Sequence, residues 1–409
     1  MFDPKSQLVV GLDLGTSKVC AVVGDLSPAG LSIIGVGQAR SRGVRKGEIV
    51  DTTAAGEDVR TAIAEAEQMA NVEIRSVYLG VTGAHLQGFN NRGRHNIPSH
   101  DREIMDEDVQ DVIKNAKAIN LPGDRHVLHV IRQHFIVDGQ DGVVDPLGMP
   151  GAHLEVDVHV VHGLTNRLQT AIRVVKGLQL EVENIVFNGI ASSLAVLTAP
   201  EKQQGALVID LGAGITEYVV YADGVIRHTG TLAVGGDHVT NDLAYGLKVA
   251  MGRAEGLKLE HGSAFVAPET RGQTIPLSGE PGLPERSVNL EHLHRIMSAR
   301  LEETLEIVAA QIESQGLLEC PRAGVILCGG GARVPGVDRL AERLFGLPVA
   351  LGRTKTISGL AATLDHPEFA TGIGLVKFGS FQSSTSRAPQ WASRLRATFG
   401  SLTSAFRRS

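Results

Sequence analysis

Cysteine is nearly missing from this 409-residue chain: Cys20, Cys320 and Cys328 are too few and too scattered for a disulfide framework or a zinc site, and they read as small buried core residues. Long apolar runs are missing as well. None approaches the roughly 20 residues needed to cross a bilayer, which excludes an integral membrane helix. The opening from Met1 to Gln7 has no basic region ahead of an apolar stretch, so nothing there marks the chain for secretion, and the expected compartment is the cytosol. Positive charge is in deficit, and a net charge of -6 argues against bulk nucleic-acid binding. What remains, 43% hydrophobic and 21% charged residues, is the composition of a soluble globular chain long enough for about two to four compact units.

The charge deficit is uneven. From Arg387 onward there are five arginines and no acid, leaving 34 basic against 45 acidic residues in the body, near -11, and +5 in the tail. Two partners of different character are implied. Along the body, Leu8 to Leu12 and Val19 to Val23 are valine-rich runs separated by Asp13-Leu-Gly-Thr-Ser-Lys18, a strand, turn, strand pattern. From Ala206 to Thr216, followed by the run Val219 to Tyr221, the same layout returns around Asp210-Leu-Gly, so two halves share one plan. Helical spacing, with acids at the first turn, predicts helices from Glu57 to Met69 and from Asp106 to Ile119. Leu290, Leu293, Met297, Leu301, Leu305, Val308 and Ile312 mark one face of a long helix stopping at Gly316. Ala323 to Leu327 is a strand leading into Gly329-Gly-Gly331. Alternating runs from Ala84 to Val161, around one helix, suit a small inserted subdomain. The serine-rich stretch Ser380 to Gln390 predicts a flexible linker, with the folded body ending near Gly379.

Phosphates need inward-pointing backbone N–H groups from tight turns, and glycine lets the chain approach without a Cβ in the way. The paired Asp-x-Gly hairpins can supply such turns. Asp13 and Asp210 would then face each other across a cleft and hold a hydrated magnesium ion, which prefers carboxylates and keeps much of its water. Gly15, Thr16, Ser17 and Lys18 would meet the distal phosphates, with Gly212, Gly214 and Thr216 opposite them. This is no Walker loop, because no Gly-Lys-Ser follows the first strand and no helix opens after the turn.

Together with Leu327-Cys-Gly-Gly-Gly-Ala-Arg-Val-Pro335, these segments are similar to the two phosphate motifs and the adenosine motif of the actin, sugar-kinase and heat-shock-chaperone superfamily. The resemblance implies an α/β, two-lobed actin-like fold that closes around ATP and magnesium. It implies duplicated mixed sheets flanked by helices, and Gly329, Gly330 and Gly331 packed on the adenosine. Phe187-Asn-Gly-Ile-Ala191 and Ala370-Thr-Gly-Ile-Gly374 resemble the two segments on which the lobes hinge. Within the superfamily, Ser41-Arg-Gly43, Lys46-Gly-Glu-Ile-Val50, Val127-Leu-His-Val-Ile131 and Ala254-Glu-Gly-Leu-Lys258 resemble the FtsA family of bacterial division proteins. That likeness implies Glu255 and Lys258 near the ribose and base on a lid, Gly235 and Gly236 by the phosphates, and Arg286 and Arg300 as receptors for the acidic C-terminal tail of the tubulin-like protein FtsZ. The expected layout is a first lobe at 1–83 and 162–191, the insert at 84–161, a second lobe at 192–235 and 305–379, a lid at 236–304, a linker at 380–390 and a membrane helix at 391–409. Two departures bear on turnover. Ala213 stands at the motif's second glycine and Ile215 where its threonine would be, and no residue is placed by pattern alone to orient an attacking water. Hydrolysis is expected to be slow, if it occurs.

At about 100° per residue Trp391, Leu395, Phe399, Leu402 and Phe406 share a narrow arc, and Arg394, Arg396, Arg407 and Arg408 lie outside it. That pattern predicts a basic amphipathic helix folding onto an anionic phospholipid surface, although a helix docked on the body or on a partner protein would have the same pattern. Fifteen histidines invite a metal, but His126, His129 and His134, or His159 and His162, have strand spacing that turns them to opposite faces, so satisfied histidines are expected. Ser192 and Ser193 lack a Gly-x-Ser-x-Gly setting for nucleophilic catalysis. Glu302, Glu303 and Glu306 are expected on a solvated helix face. The expected function is an ATP-dependent, self-polymerising scaffold that tethers FtsZ filaments to the cytoplasmic face of the membrane at the division site, with later division proteins meeting the insert. The alternatives are a PilM-like pilus adaptor, which needs no terminal anchor, and a small-molecule kinase, for which no sugar-binding signature is present.

Overall fold

The structure, a computed structural model, describes residues 7–98, 102–277, 286–355, 358–359 and 365–387. The first lobe opens with β1 (Gln7–Leu14), β2 (Lys18–Ser27), β3 (Gly30–Arg40), a small hairpin of β4 (Val44–Arg45) and β5 (Glu48–Ile49), then α1 (Thr52–Ala70) and β6 (Ser76–Val81). The insert follows as β7 (Gln87–Asn96), α2 (Asp106–Lys117), β8 (Arg125–Val137), β9 (Gln140–Val143) and β10 (His153–Leu164). The chain re-enters the first lobe through α3 (Thr165–Lys176) and β11 (Glu181–Phe187), and crosses over by α4 (Asn188–Val196) and α5 (Ala199–Gln204). The second lobe holds β12 (Ala206–Leu211), β13 (Thr216–Ala222) and β14 (Val225–Leu232). A helical region follows, of α6 (Gly236–Leu247), α7 (Met251–His261), the hairpin β15 (Thr274–Leu277) and β16 (Arg286–Asn289), and α8 (Leu290–Ser314). β17 (Val325–Cys328), α9 (Val337–Phe345) and β18 (Val349–Leu351) complete that lobe, and β19 (Ser358–Gly359) and α10 (Ala370–Arg387) follow.

The duplication expected from the two Asp-x-Gly hairpins is visible in the sheets. In the first, ordered β11-β6-β1-β2-β3-β19, β1 runs antiparallel to β2 and parallel to β6; in the second, ordered β14-β13-β12-β17-β18, β12 runs antiparallel to β13 and parallel to β17. β12 is buried at every position because helices cover both faces, which is why its sequence is a continuous apolar run rather than an alternating one. α4 and α10 lie between the sheets: Ile190, Ala191, Ile373 and Val376 share one core with Val10 and Leu12 of the first lobe and Val208 and Val219 of the second. The insert is a sheet of its own, ordered β7-β10-β8-β9, closed by α2 over a separate core of Val112, Phe135, Leu154 and Val156.

Several elements depart from expectation. α1 begins at Thr52, five residues ahead of Glu57, because Asp51 caps it by accepting from the N–H groups of Thr53 and Ala54 at 2.9 and 3.0 Å; its first turn carries no acid. α8 runs unbroken from Leu290 to Ser314 across the lid boundary expected at 304/305, and the 191/192 boundary falls inside α4. The stretch expected as a linker is helical through Arg387, since Ser380 and Ser383 are buried, Ser380 donating to the Lys377 carbonyl and Ser383 bonded to Gln7. α10 also returns to the first lobe: Gly11 and Gly24 of β1 and β2 lie directly beneath it, and β19 pairs with β3. Cys20 and Cys328 are buried, while Cys320 is half-exposed. The membrane residues Trp391, Arg394, Leu395, Phe399, Leu402, Phe406, Arg407 and Arg408 lie outside the described residues.

Candidate functional site

Both hairpins turn in the same way and for the same reason. After Asp13 and Asp210 the chain reverses tightly enough that a Cβ on Gly15 would stand 2.7 Å from the Lys18 carbonyl oxygen, and one on Gly212 2.6 Å from that of Ile215. Glycine is therefore the only residue that closes either turn. The turns meet across the cleft. A Cβ on Gly214 would stand 2.6 Å from the Thr16 hydroxyl, which itself accepts from the Gly47 N–H at 3.0 Å. Between them opens a cleft of about 660 Å³, and every residue assigned above to nucleotide or magnesium lines it.

Asp210 is buried in the cleft and Asp13, opposite it, is half-buried. Burial first, then the neighbouring Asp210 charge, pushes Asp13 up to about 6; burial likewise raises Asp210. Each is held by a residue of a connecting segment: Asn188 Nδ2 donates to Asp13 Oδ1 at 2.9 Å, and Ser192 and Thr371 donate to Asp210 Oδ2. A third acid joins them from β13. Glu217 is buried and pushed well above its usual range by burial and by Asp210, and it accepts from the Thr82 hydroxyl of the first lobe at 2.6 Å. Two desolvated carboxylates aimed into one cleft, short of cationic partners, are the donor set of a hard divalent cation. They fit magnesium.

Other groups are turned away from the cleft's centre. Lys18 Nζ bonds Gln38 at 3.1 Å and lies 4.0 Å from the centre of the Phe369 ring. Thr216 is fully buried and spends its hydroxyl on the Val234 carbonyl at 2.8 Å, tying β13 to the loop that leads into Gly235 and Gly236. Between α6 and α7, Lys258 Nζ bonds Glu255 at 2.6 Å, Thr240 at 2.8 Å and the Gly236 carbonyl at 3.2 Å, so the two residues expected near the ribose form one linked group. Gly329, at φ +80°, sits where a Cβ would stand 2.4 Å from Asp210 Oδ1. Among the described residues no group of three or more His, Cys, Asp or Glu is arranged to hold a metal. Two of the buried histidines are engaged elsewhere: His129 Nε2 accepts from the Phe187 N–H at 3.0 Å, and His159 bonds Asn90 and Thr229.

The two arginines assigned to a peptide partner are not brought into the cleft. Arg286 stands opposite Leu277 in the β15–β16 hairpin. Arg300, on α8, forks onto Asp242 and also pairs with Glu303. Glu302 pairs with Arg343. Sequence reading missed Thr82, Asn188, Ser192, Glu217 and Thr371. For Asn188, Glu217 and Thr371 the signal was present, as polar residues inside the otherwise apolar runs Phe187 to Ala191, Thr216 to Ala222 and Ala370 to Gly374; Thr82 and Ser192 carry no such mark.

Two sheets of one plan, each contributing an Asp-Gly hairpin to a shared cleft, define the actin-like class. Solved structures with this architecture include the PilM-PilN type IV pilus biogenesis complex (TM-score 0.65, 15% identity, 91% of this chain and 98% of that one) and MreB5 of Spiroplasma citri bound to ADP (TM-score 0.55, 16% identity, 94% and 100%). Family models match as cell division protein FtsA over residues 207–374 and as the SHS2 domain inserted in FtsA over residues 83–162. The cell division proteins FtsA of Pseudomonas aeruginosa and Escherichia coli are 36% and 34% identical, over 91% and 97% of this chain and 89% and 95% of their own lengths. The chain belongs to the FtsA family of cell division proteins.

Proposed function

We propose that this chain binds ATP with magnesium between its lobes and uses the bound state to polymerise on the cytoplasmic face of the membrane, where it anchors FtsZ filaments at the division site. The observation that carries this reading is the meeting of Asp13 and Asp210, one from each lobe's first hairpin, in a cleft of about 660 Å³, within the range of a small-molecule site. Asp13 and Asp210 would hold the cation through its own shell of water; Gly15, Thr16, Ser17, Gly212 and Gly214 would cradle the phosphates; Gly329 to Gly331 would back the adenosine. Bound magnesium supplies charge neutralisation for the phosphates. The protein's part is to position and to close: lobes that close only on the filled cleft select one conformation by differential affinity. The chain acts as a switch more than as a reactor, with at most slow hydrolysis.

The remaining assignments rest on the family likeness and, for the tail, on its charge. The acidic FtsZ tail would approach Arg286 and Arg300 and must compete with Asp242 for the Arg300 fork. The tail from Trp391 to Arg408 would hold anionic phospholipid, and later division proteins would meet the insert. Titrating the full chain with a fluorescent ATP analogue, with and without magnesium, tests the core of the reading. Tight binding that needs magnesium and is weakened more than tenfold by Asp210→Asn is the expected result; binding indifferent to both would overturn it.

A further inference from the structure

The lobes are joined by more than their two connecting segments. A line of hydrogen bonds runs from the floor of the cleft along β14 into the insert, its bonds at Thr229 and Gln133 buried and most of the others half-buried. It begins with Thr82, which donates to Glu217 at 2.6 Å. Glu217 is the cross-strand partner of Thr231, whose hydroxyl donates to the Leu86 carbonyl at 3.0 Å. Two residues further along the same strand, Thr229 bonds His159 Nε2 at 2.9 Å, and His159 is fully buried, its Nδ1 on Asn90 at 2.8 Å. The line ends where Gln133 donates to the Ile226 carbonyl at 2.6 Å and Asn90 to that of Arg227 at 3.0 Å. From Thr231 to Ile226 this spans about 17 Å of strand.

Gly88 is what lets β7 lie this close: a Cβ there would stand 2.2 Å from the Thr229 hydroxyl. The other end of β14 belongs to the cleft, through the Thr216 bond to Val234 and the Gly236 N–H on the Gly212 carbonyl at 3.0 Å. The insert is also held to the first lobe, by the Phe187 N–H on His129. It therefore bridges both lobes. The two hairpins approach closely in this conformation, a Cβ on Gly214 meeting the Thr16 hydroxyl, and the seam is formed in it.

We propose that β14 couples nucleotide occupancy of the cleft to the position of the inserted subdomain, the seam forming as the lobes close and breaking as they open. This rests on the reading that the cleft takes nucleotide. Buried amide, imidazole and hydroxyl groups do not stay unpaired. When β14 moves with the second lobe, the insert follows it or its seam admits water. By reciprocity, weakening the seam weakens nucleotide binding.

Hydrogen–deuterium exchange of the full chain, with and without magnesium and ATP, separates the cases. The expected result is slowed exchange both in the phosphate hairpins and in peptides spanning Gln87–Asn96 and His153–Leu164. In Gly88→Ala, which wedges the seam, and in Thr231→Val, which removes one half-exposed bond and threatens folding less, the insert's response is lost and ATP affinity falls about fivefold, the worth of one hydrogen bond. A response in the hairpins without one in the insert overturns the coupling alone. No response in either place overturns the coupling together with the nucleotide reading. An insert response undiminished in both variants overturns the route through β14.

Discussion

At the scale of the residue, the cleft keeps charge where it is costly. Asp13 has a folded-state value of about 6 against 3.8 for the free side chain, so the folded protein holds a proton between those pH values that the unfolded chain has lost. Its charge therefore lowers stability at neutral pH, and stability is regained as pH falls through about 6. Asp13→Asn removes that charge and keeps an acceptor for Asn188. The expected outcome is an apoprotein more stable at pH 7.5 by about 2–3 kcal/mol in urea unfolding, with magnesium-dependent ATP binding lost. Losing binding while gaining stability would set function against stability at this position. His129 has the opposite linkage. Burial lowers it to about 4 from 6.5, so its contribution is full above pH 6.5 and is lost as pH falls towards 4. His129→Gln keeps an acceptor for the Phe187 N–H and removes the titration. Across pH 6 to 4.5 the wild type is expected to lose about 1.4 kcal/mol per pH unit relative to the variant; parallel pH profiles would show that His129 titrates in the folded state.

At the scale of the element, hairpins and helices were legible in the sequence wherever the local pattern decides them. Asp13-Leu-Gly and Asp210-Leu-Gly turn as read, and six of the seven apolar residues from Leu290 to Ile312 are buried on one face of α8, Leu290 at its start being half-exposed. What the pattern hid was set by tertiary packing. Ser380 to Arg387 reads as linker because serine favours no helix, yet α10 continues through it on contacts with β1. The partners of Asp13 and Asp210 were hidden for the same reason, since Asn188 and Thr371 meet them only once α4 and α10 are placed between the sheets. That placement rests on small residues. A Cβ on Gly374 would stand 1.7 Å from the Ala191 carbonyl oxygen, with backbone on the other side and no flexible side chain to give way. Gly374→Ala is expected to destabilise by about 3 kcal/mol through overpacking, despite alanine's better helix propensity. A thermal midpoint unchanged from wild type would mean that α4 and α10 are not packed this closely. Lys377 holds the same joint by donating to the Leu194 and Ala195 carbonyls at the end of α4, at 3.2 and 3.3 Å.

At the scale of the whole molecule, an acidic body carries a basic end. With the body near -11 and five arginines from Arg387 onward, an anionic membrane repels one part of the chain and attracts the other. Each arginine near such a surface is worth roughly 1 kcal/mol, so the four in residues 391–409 would supply about 4 kcal/mol before the apolar stripe is counted, a weak, salt-sensitive anchor. Filaments change the arithmetic, because once one tail is bound its neighbours are held at high local concentration. Two outcomes follow for sedimentation with phosphatidylglycerol vesicles. Removing residues 391–409 is expected to abolish binding at any nucleotide state. In the full chain with magnesium and ATP, binding is expected to rise steeply with protein concentration and to weaken at about 0.5 M salt, where screening shortens the reach of each arginine to a few ångströms. Asp210→Asn, with the tail intact and the cleft disabled, separates the two contributions. It should leave a shallow, single-tail binding curve in place of the steep one. A curve as steep as wild type would show that membrane attachment does not depend on the cleft, and would detach the nucleotide site from the scaffold's assembly.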